Sequence, residues 1–518
     1  MSNKKLLIVH RRPSNDNVLD KLDNLSNNYE IEPSHFKSAS PIISSLSTRS
    51  DPHEDNGNQE MIDTIKDVSS SIVALVSIFL IETINLSFVG HLKESRLNLE
   101  AVGVGNILLN FTSLFLVFGA LGALDTVGSV CFGTKDFNNL AKNTVRMRII
   151  IVAIFFIFTI PSCIYTEKIL NSLGIAPDIS ERSGHYTFTM IPAIFFIFNF
   201  NLNVRFVQIM HDYFIVSLIA AFTVVIHYAM NYYCFYNTDF KYITVAIISN
   251  ISTCIGFILS SIYCAYFNKY PESVVFYNDG IFNYHEFKFL AKLAFHSAIQ
   301  HYGDFVGYEI VTFLGVYLPI PAENSASLVL LNYSVITAYV YSGSSFPLTQ
   351  KIGYAMGMED EIAYKKTIYT YTKLNFVVGG LLTFFTIVFA EQILSFYTRN
   401  TVIIDLAYPI IILYAIFSLI DNINVMFQGV LKGTGNQHIP SVYNVIFTVF
   451  ITVPVSYILA FTFDYGVIGL WAGIFSFMTA MMFVSMYYVF SLDFKENSKY
   501  IKENIVNDDE ENIIQVKY

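Results

Sequence analysis

The chain has 518 residues, of which 53% are hydrophobic and 14% charged, with a formal net charge of −10. A soluble chain carries roughly 25% charged residues, so this composition excludes an ordinary soluble globular protein and points to a polytopic membrane protein. Much of the negative charge lies in the terminal segments, as in "NDDEEN" near the C-terminus, and no basic patch points to nucleic acid.

Residues 1–66 are polar and rich in Ser, Asn and Asp, and read as a disordered cytosolic N-tail. Twelve apolar stretches follow, each long enough to cross a hydrocarbon core about 30 Å thick as a helix. They run approximately 68–90, 101–124, 147–166, 186–208, 214–236, 242–267, 290–318, 325–347, 374–394, 402–424, 440–462 and 466–490. The first six make an N-lobe over 67–267 and the last six a C-lobe over 287–490, with a linker at 268–286. Residues 491–518 read as a charged cytosolic C-tail. An even number of spans places both termini on one side. With that side inside, 25 of the 31 Lys and Arg residues fall in inside loops and tails, so both termini are expected in the cytoplasm. The five cysteines contain no CxxC pair, and neither a disulfide framework nor a metal site is expected.

The two halves echo each other. "LLNFT" at 108–112 returns as "LLNYS" at 330–334. Gly119, Leu124 and Gly133 return as Gly343, Leu348 and Gly357, all at an offset of 224. Each half has an even number of spans, so the halves share orientation and are related by an axis along the membrane normal. The expected fold is therefore all-α, with twelve transmembrane helices in two six-helix lobes around a V-shaped central cavity.

Polar groups inside spans mark the candidate site. Span 7 contains "HYGDFVGYE", which places His301, Asp304 and Glu309 within the membrane. A charged carboxylate at mid-bilayer costs about 3 kcal/mol on insertion scales, so it faces a cavity or a partner. Asp304 and Glu309 are five residues apart on one helix, hence about 140° apart around its axis. His301 and Asp304 share a face. His301 reads as a proton relay or as a hydrogen-bonded core residue. Glu82 in span 1 is a further intramembrane acid, either for coupling or structural. Asn110 and Asn332 hold matched places in the two halves and read as cavity-lining or as helix–helix hydrogen bonds. Gln428 begins a glycine-rich turn, and Asp125 near the end of span 2 is expected to cap or anchor a loop.

Several longer stretches carry a resemblance. They are "FVGHL" (88–92), "AVGVGNILLNFT" and "GALGALDTVGSVCFG" (101–112 and 119–133), then "FQGVLKGTGNQ" (427–437) and "YGVIGLWAGI" (465–474). Over about 68–490 the chain resembles the multidrug and toxic compound extrusion (MATE) family, in particular its eukaryotic branch. The resemblance implies two six-helix bundles and export of organic cations or other amphiphiles in exchange for H⁺ or Na⁺. It places Asp304 and Glu309 at the two acidic positions of span 7, with Phe305 and Val306 where eukaryotic members have aromatics. It also marks Asp421, eight residues before Gly429, as the acid of span 10. Many prokaryotic members carry an Asp in span 1 where this chain has Asn85, so coupling at that position is not expected and H⁺ is favoured over Na⁺. "RFVQIMHDYF" (205–214) and "FPLTQKIGYAMG" (346–357) depart from the family pattern, as in a divergent member.

The resulting expectation is a monomeric H⁺-coupled exporter of small amphiphilic organic cations in a plasma, vacuolar or lysosomal membrane. It is not an enzyme and needs no cofactor beyond the coupling ion. Its carriers would be Glu309, Asp421 and Asp304, with loss of coupled efflux expected on Glu309→Gln. The alternatives are a lipid-linked or polyanion flippase of the same superfamily and a non-transporting membrane protein. A flippase calls for cationic residues in the cavity, and Lys and Arg are nearly absent from the predicted mid-spans, Arg205 being the deepest. A membrane enzyme using His227, His296 or His301 finds no motif to support it.

Overall fold

A computed structural model describes residues 55–92, 95–273, 281–315 and 317–506, and these are almost entirely helical. Residues 55–59 close a first segment, and Glu60–Tyr518 form a second unit. The long helices are α1 (Asp55–Gly90), α2 (Leu97–Gly133), α3 (Phe137–Ser172), α4 (Pro177–Ile209), α5 (Tyr213–Asn237) and α6 (Tyr242–Phe267). The second half has α7 (Tyr284–Gly315), α8 (Pro321–Met358), α9 (Glu361–Val388), α10 (Thr401–Gly433), α11 (His438–Thr462) and α12 (Gly466–Ser491). A short helix, Ala390–Tyr397, links α9 to α10.

Ten of these twelve are long and apolar enough to span a bilayer by composition alone. The two others, α7 and α8, complete the set. Their apolar windows are broken by His301, Asp304 and Glu309 on α7 and by a run of Ser, Thr and Asn on α8. Such helices are stable in a membrane only when the polar face is turned inward. Both do turn inward: α2 of the first lobe packs lengthwise against α7 and α8 of the second. Within the lobes α4 packs on α2, α3 and α6, and α10 packs on α8, α9 and α12. The twelve helices thus form two six-helix lobes, and the protein is integral to a membrane.

Proline shapes two helices. Pro161 and Pro454 have no N–H to give to the preceding turn. The backbone immediately before each widens into a π-helical segment, Phe155–Thr159 in α3 and Thr448–Thr452 in α11.

The helices outrun the spans read from sequence. The 33 residues of α10 make a rod about 50 Å long, well beyond the hydrocarbon core. Two expectations for the tails are corrected. Of the N-tail, 1–54 lies outside the described residues, but 55–66 is helix continuous with α1. Of the C-tail, Phe494–Val506 is a helix (α13) and 507–518 lies outside the described residues. Helix α13 is amphipathic. Asp493 caps it by accepting from the amides of Lys495 (2.8 Å) and Glu496 (3.0 Å). Its apolar face buries Ile501 and Ile505. Ser498 Oγ donates to Met356 O at 2.8 Å, and the Lys502 ammonium, 2.6 Å from Glu359, holds that carboxyl below its ordinary range.

Candidate functional site

The seam between the lobes is built from small residues. Gly133 on α2 and Gly357 on α8 lie against each other, so that a Cβ on either would come 3.0 Å from the other's Cα. A Cβ on Gly119 would meet Ala298 Cα at 2.5 Å, and one on Gly353 would meet Ser129 Cβ at 2.8 Å. Gly133 and Gly357 are the repeat-related pair, so the pseudo-twofold axis passes close to their contact.

A polar network reinforces this end of the seam, on the face where Glu60 meets Lys366 and α13 packs on Met356. Asp125 is fully buried and accepts from Gln350 Nε2 at 2.9 Å across the lobes. Its other oxygen lies 3.3 Å from Arg205 Nη1. Tyr213 OH donates to Gln350 Oε1 (2.8 Å), and the Arg205 guanidinium stacks 3.3 Å over the Phe346 ring. Asp125 is therefore not a loop cap. Helix α2 continues nine residues past the predicted end of its span and carries Asp125 into the interior, where only a charge partner makes burial tolerable.

Above this network lies a cavity of about 70 Å³, room for a few waters, lined by α7, α8, α10 and α12 of the C-lobe. Asp304 and Asp421 both line it, as do His301 and Gln428. Helix α7 presents Gln300, His301, Asp304, Phe305 and Tyr308, spaced as one helical face. Helix α10 presents Asp421, Gln428 and Lys432. Asn444 Nδ2 donates to Asp304 Oδ1 at 2.7 Å. Gly303 makes that bond possible, because a Cβ there would sit 2.5 Å from the Asn444 Cβ. Gln300 Nε2 donates to Gln428 Oε1 at 2.7 Å. On the side away from the polar network the cavity is roofed by aromatics. Phe115 stacks on Phe305 with centroids 4.8 Å apart, and Tyr302 hydrogen-bonds Phe111 O from the opposite lobe.

Other residues singled out in the sequence lie elsewhere. Glu309 is half-buried and outside this lining, as the 140° offset from Asp304 requires. Glu82 and Asn110 line a separate cavity of about 50 Å³, formed by the N-lobe with Asn106 and Tyr186 and closed by Tyr339 of α8. Asn332 is exposed, and its amide donates to Leu328 O in its own helix at 2.8 Å. Asn85 is buried in a neutral network, donating to Ser249 Oγ (2.9 Å) and bonded to His227 Nε2 (3.0 Å). Sequence reasoning missed Lys432 as a cavity residue, because the predicted span ended at 424 whereas α10 runs to Gly433. A signal was present: Asp421, Gln428 and Lys432 are spaced i, i+7, i+11, which on a helix of about 100° per residue is one face.

The comparisons with known proteins agree with this arrangement. The MatE family model matches residues 70–233 and 306–458, one segment in each lobe. The chain belongs to the MatE family. Among relatives of this MATE chain, Protein DETOXIFICATION 17 of Arabidopsis thaliana is 24% identical over 441 residues, covering 84% of this chain and 91% of the relative. Multidrug and toxin extrusion protein 2 of Mus musculus is 25% identical, covering 80% and 72%. The crystal structure of the eukaryotic MATE transporter AtDTX14 superposes with a TM-score of 0.80 at 18% identity, covering 87% of this chain and all of that one. Low identity over four fifths or more of its length makes this chain a divergent MATE protein, a membrane transporter and not an enzyme.

Proposed function

We propose that this protein is a secondary antiporter that exports organic cations and other xenobiotics in exchange for H⁺ by alternating access of its two lobes. The observation that carries the reading is the placing of Asp304 and Asp421, from different helices, in one cavity of the C-lobe. Desolvation penalises the charged form of a carboxyl. Either a proton or an organic cation relieves that penalty, and the two compete for the same oxygens. Protons therefore displace cations, and the two fluxes are coupled. The relatives named for multidrug and toxin extrusion support the substrate class. The excess of Lys and Arg on the termini side supports cytoplasmic termini, and the proposal is of a monomer in a plasma, vacuolar or lysosomal membrane. In that orientation the glycine seam and the Asp125–Arg205 pair close the cytoplasmic side.

The exchange roles go to Asp304 and Asp421, with His301 and Gln428 shaping the cavity. Glu309 is a lipid- or helix-facing acid with a secondary role, and Glu82 with Asn110 belongs to the N-lobe. The test is uptake of a fluorescent organic cation into proteoliposomes under an imposed pH gradient or an imposed Na⁺ gradient. The pH gradient is expected to drive flux and the Na⁺ gradient is not. Glu309→Gln should keep roughly a third or more of the rate, because it lies off the cavity face. Flux that follows Na⁺ alone, or an inactive Glu309→Gln protein with normal insertion, would count against these assignments.

A further inference from the structure

Helix α3 carries two arginines, and they meet opposite fates. Arg146 is fully buried, donates from Nε to Ile281 O at 2.7 Å and pairs with Glu286. Arg148, about 200° further round the helix, is exposed. Its Nη2 donates to Asn203 Oδ1 on α4 at 2.9 Å. Asn203 is buried, and its own amide donates to Ser260 Oγ (3.1 Å) and Ser261 Oγ (3.0 Å) on α6. Both amide hydrogens are thereby spent, so the Asn203 oxygen is locked toward the arginine and holds the guanidinium by one edge. A guanidinium carries five N–H donors. Among the described residues the rest of the Arg148 fork finds no acceptor and Arg148 makes no ion pair. Glu286 is taken by Arg146, and Asp212 by Lys269 (3.2 Å) and the Tyr263 hydroxyl (2.6 Å).

Arg148 lines a cavity of about 130 Å³ between α3, α4 and α6, with Thr144, Ser261 and Ser273 also in the lining and no residue of the C-lobe. Its depth is set by the helices. Asn203 lies six residues before the end of α4 at Ile209, and Ser261 six before the end of α6 at Phe267, both on the termini side. Six residues are about 9 Å. The 33 residues of α4 make a rod about 50 Å long, which overhangs a core of about 30 Å by roughly 10 Å at each end. The Arg148 cavity therefore sits where hydrocarbon gives way to headgroups. Deeper in the bilayer Phe156 of α3 and Ile258 of α6 are exposed and offer apolar surface.

We propose that this cavity is a specific site for one anionic phospholipid of the termini-side leaflet. Its phosphate takes the open edge of the Arg148 guanidinium, and an acyl chain runs along Phe156 and Ile258. An unpaired cation at this depth is costly, and a phosphate that accepts from a guanidinium fork relieves the cost. Basic pockets between spans on the cytoplasmic side suit such headgroups. A zwitterionic headgroup brings its own cation, which competes with Arg148 for the phosphate, so the site prefers net negative lipid.

The test is native mass spectrometry of the purified full chain in neutral detergent, titrated with dioleoylphosphatidylglycerol or with dioleoylphosphatidylcholine, which has the same acyl chains. Wild type should bind its first phosphatidylglycerol with a Kd about tenfold below that for phosphatidylcholine, the scale of a hydrogen-bonded charge. Arg148→Gln should abolish that preference and Arg148→Lys should keep most of it. Sodium phosphate at millimolar concentration should not displace the lipid. If Arg148→Gln does not assemble, Cys264 decides, since it lines the same cavity. As the sole remaining cysteine in a chain that keeps Arg148, it should react with N-ethylmaleimide severalfold more slowly in phosphatidylglycerol than in phosphatidylcholine. A wild type without preference, a preference that survives Arg148→Gln, or Cys264 labelling at equal rates in the two lipids overturns the inference. Displacement by inorganic phosphate also overturns it, and makes the cavity a site for a free anion.

Discussion

Asp304→Asn is expected to lose pH-driven efflux almost completely while inserting and folding normally. The substitution keeps the side-chain shape and still offers an oxygen to Asn444 Nδ2, which now lies 2.7 Å from Asp304 Oδ1. What it removes is the negative charge for which cation and proton compete. Truncating one side of a desolvated charge pair costs about 2–5 kcal/mol, so cation affinity should fall by roughly two orders of magnitude or more. In wild type the sign of the pH effect is fixed by competition. Lowering the pH protonates the aspartates and weakens cation binding, and raising it strengthens binding. In Asp304→Asn this dependence should flatten, with Asp421 left as the only cavity carboxylate. Uptake rates and equilibrium binding across a pH series would measure both effects. A mutant with wild-type pH dependence would remove Asp304 from the exchange.

Gly357→Val is expected to abolish transport for a different reason. A side chain at 357 would collide with Val130 O and come within 3.0 Å of Gly133 Cα, both in the facing lobe. The lobes could not close at the termini face, and the conformation open on that side would be favoured. Backbone cannot give way as a flexible side chain can, so this clash is not relieved locally. Gly380→Val is the control, because nothing lies within 4 Å of a Cβ there and the position is exposed on the lobe surface. A cysteine introduced at Ser129, buried in the seam, reports the state in a background lacking the natural cysteines. Its labelling by an impermeant thiol reagent from the termini side should rise by about tenfold or more in Gly357→Val, as expected for a shift between two conformations. It should stay low in Gly380→Val. Unchanged labelling together with retained transport would show that the seam does not have to close.

Much of this arrangement is legible in the sequence, and several of the failures share one cause. The offset of 224 that pairs Gly133 with Gly357 comes from periodicity alone, and the two residues meet in space. The 140° separation of Asp304 and Glu309 follows from helix geometry, and only Asp304 lines the cavity. Asn332, expected to line the cavity or bond another helix, instead faces outward; the other errors lie at helix ends. Hydropathy ends a span where polar residues begin, but in a transporter those residues can continue the helix into a polar interior. Asp125 reads from the sequence as a loop cap or anchor and Lys432 lies beyond the span ending at 424, yet α2 and α10 carry them inward to the seam and the cavity. The same bias turned α13 into a tail. Its Ile501 and Ile505 recur at helical spacing among charged residues, a short amphipathic signal that net charge conceals. Pairing across the lobes, as between Asp125 and Arg205, is a tertiary fact that no local pattern encodes.

Proton release on substrate binding tests the central claim most directly. Purified protein in weakly buffered detergent solution would be mixed with a transported cation, and the pH change recorded beside the binding isotherm. Competition at the aspartates predicts release of up to about one proton per cation bound at a pH near the carboxyl's titration, with no release from Asp304→Asn, Asp421→Asn double-variant protein. Saturable binding by wild type with no proton released at any pH between acid and neutral would contradict exchange at these carboxylates.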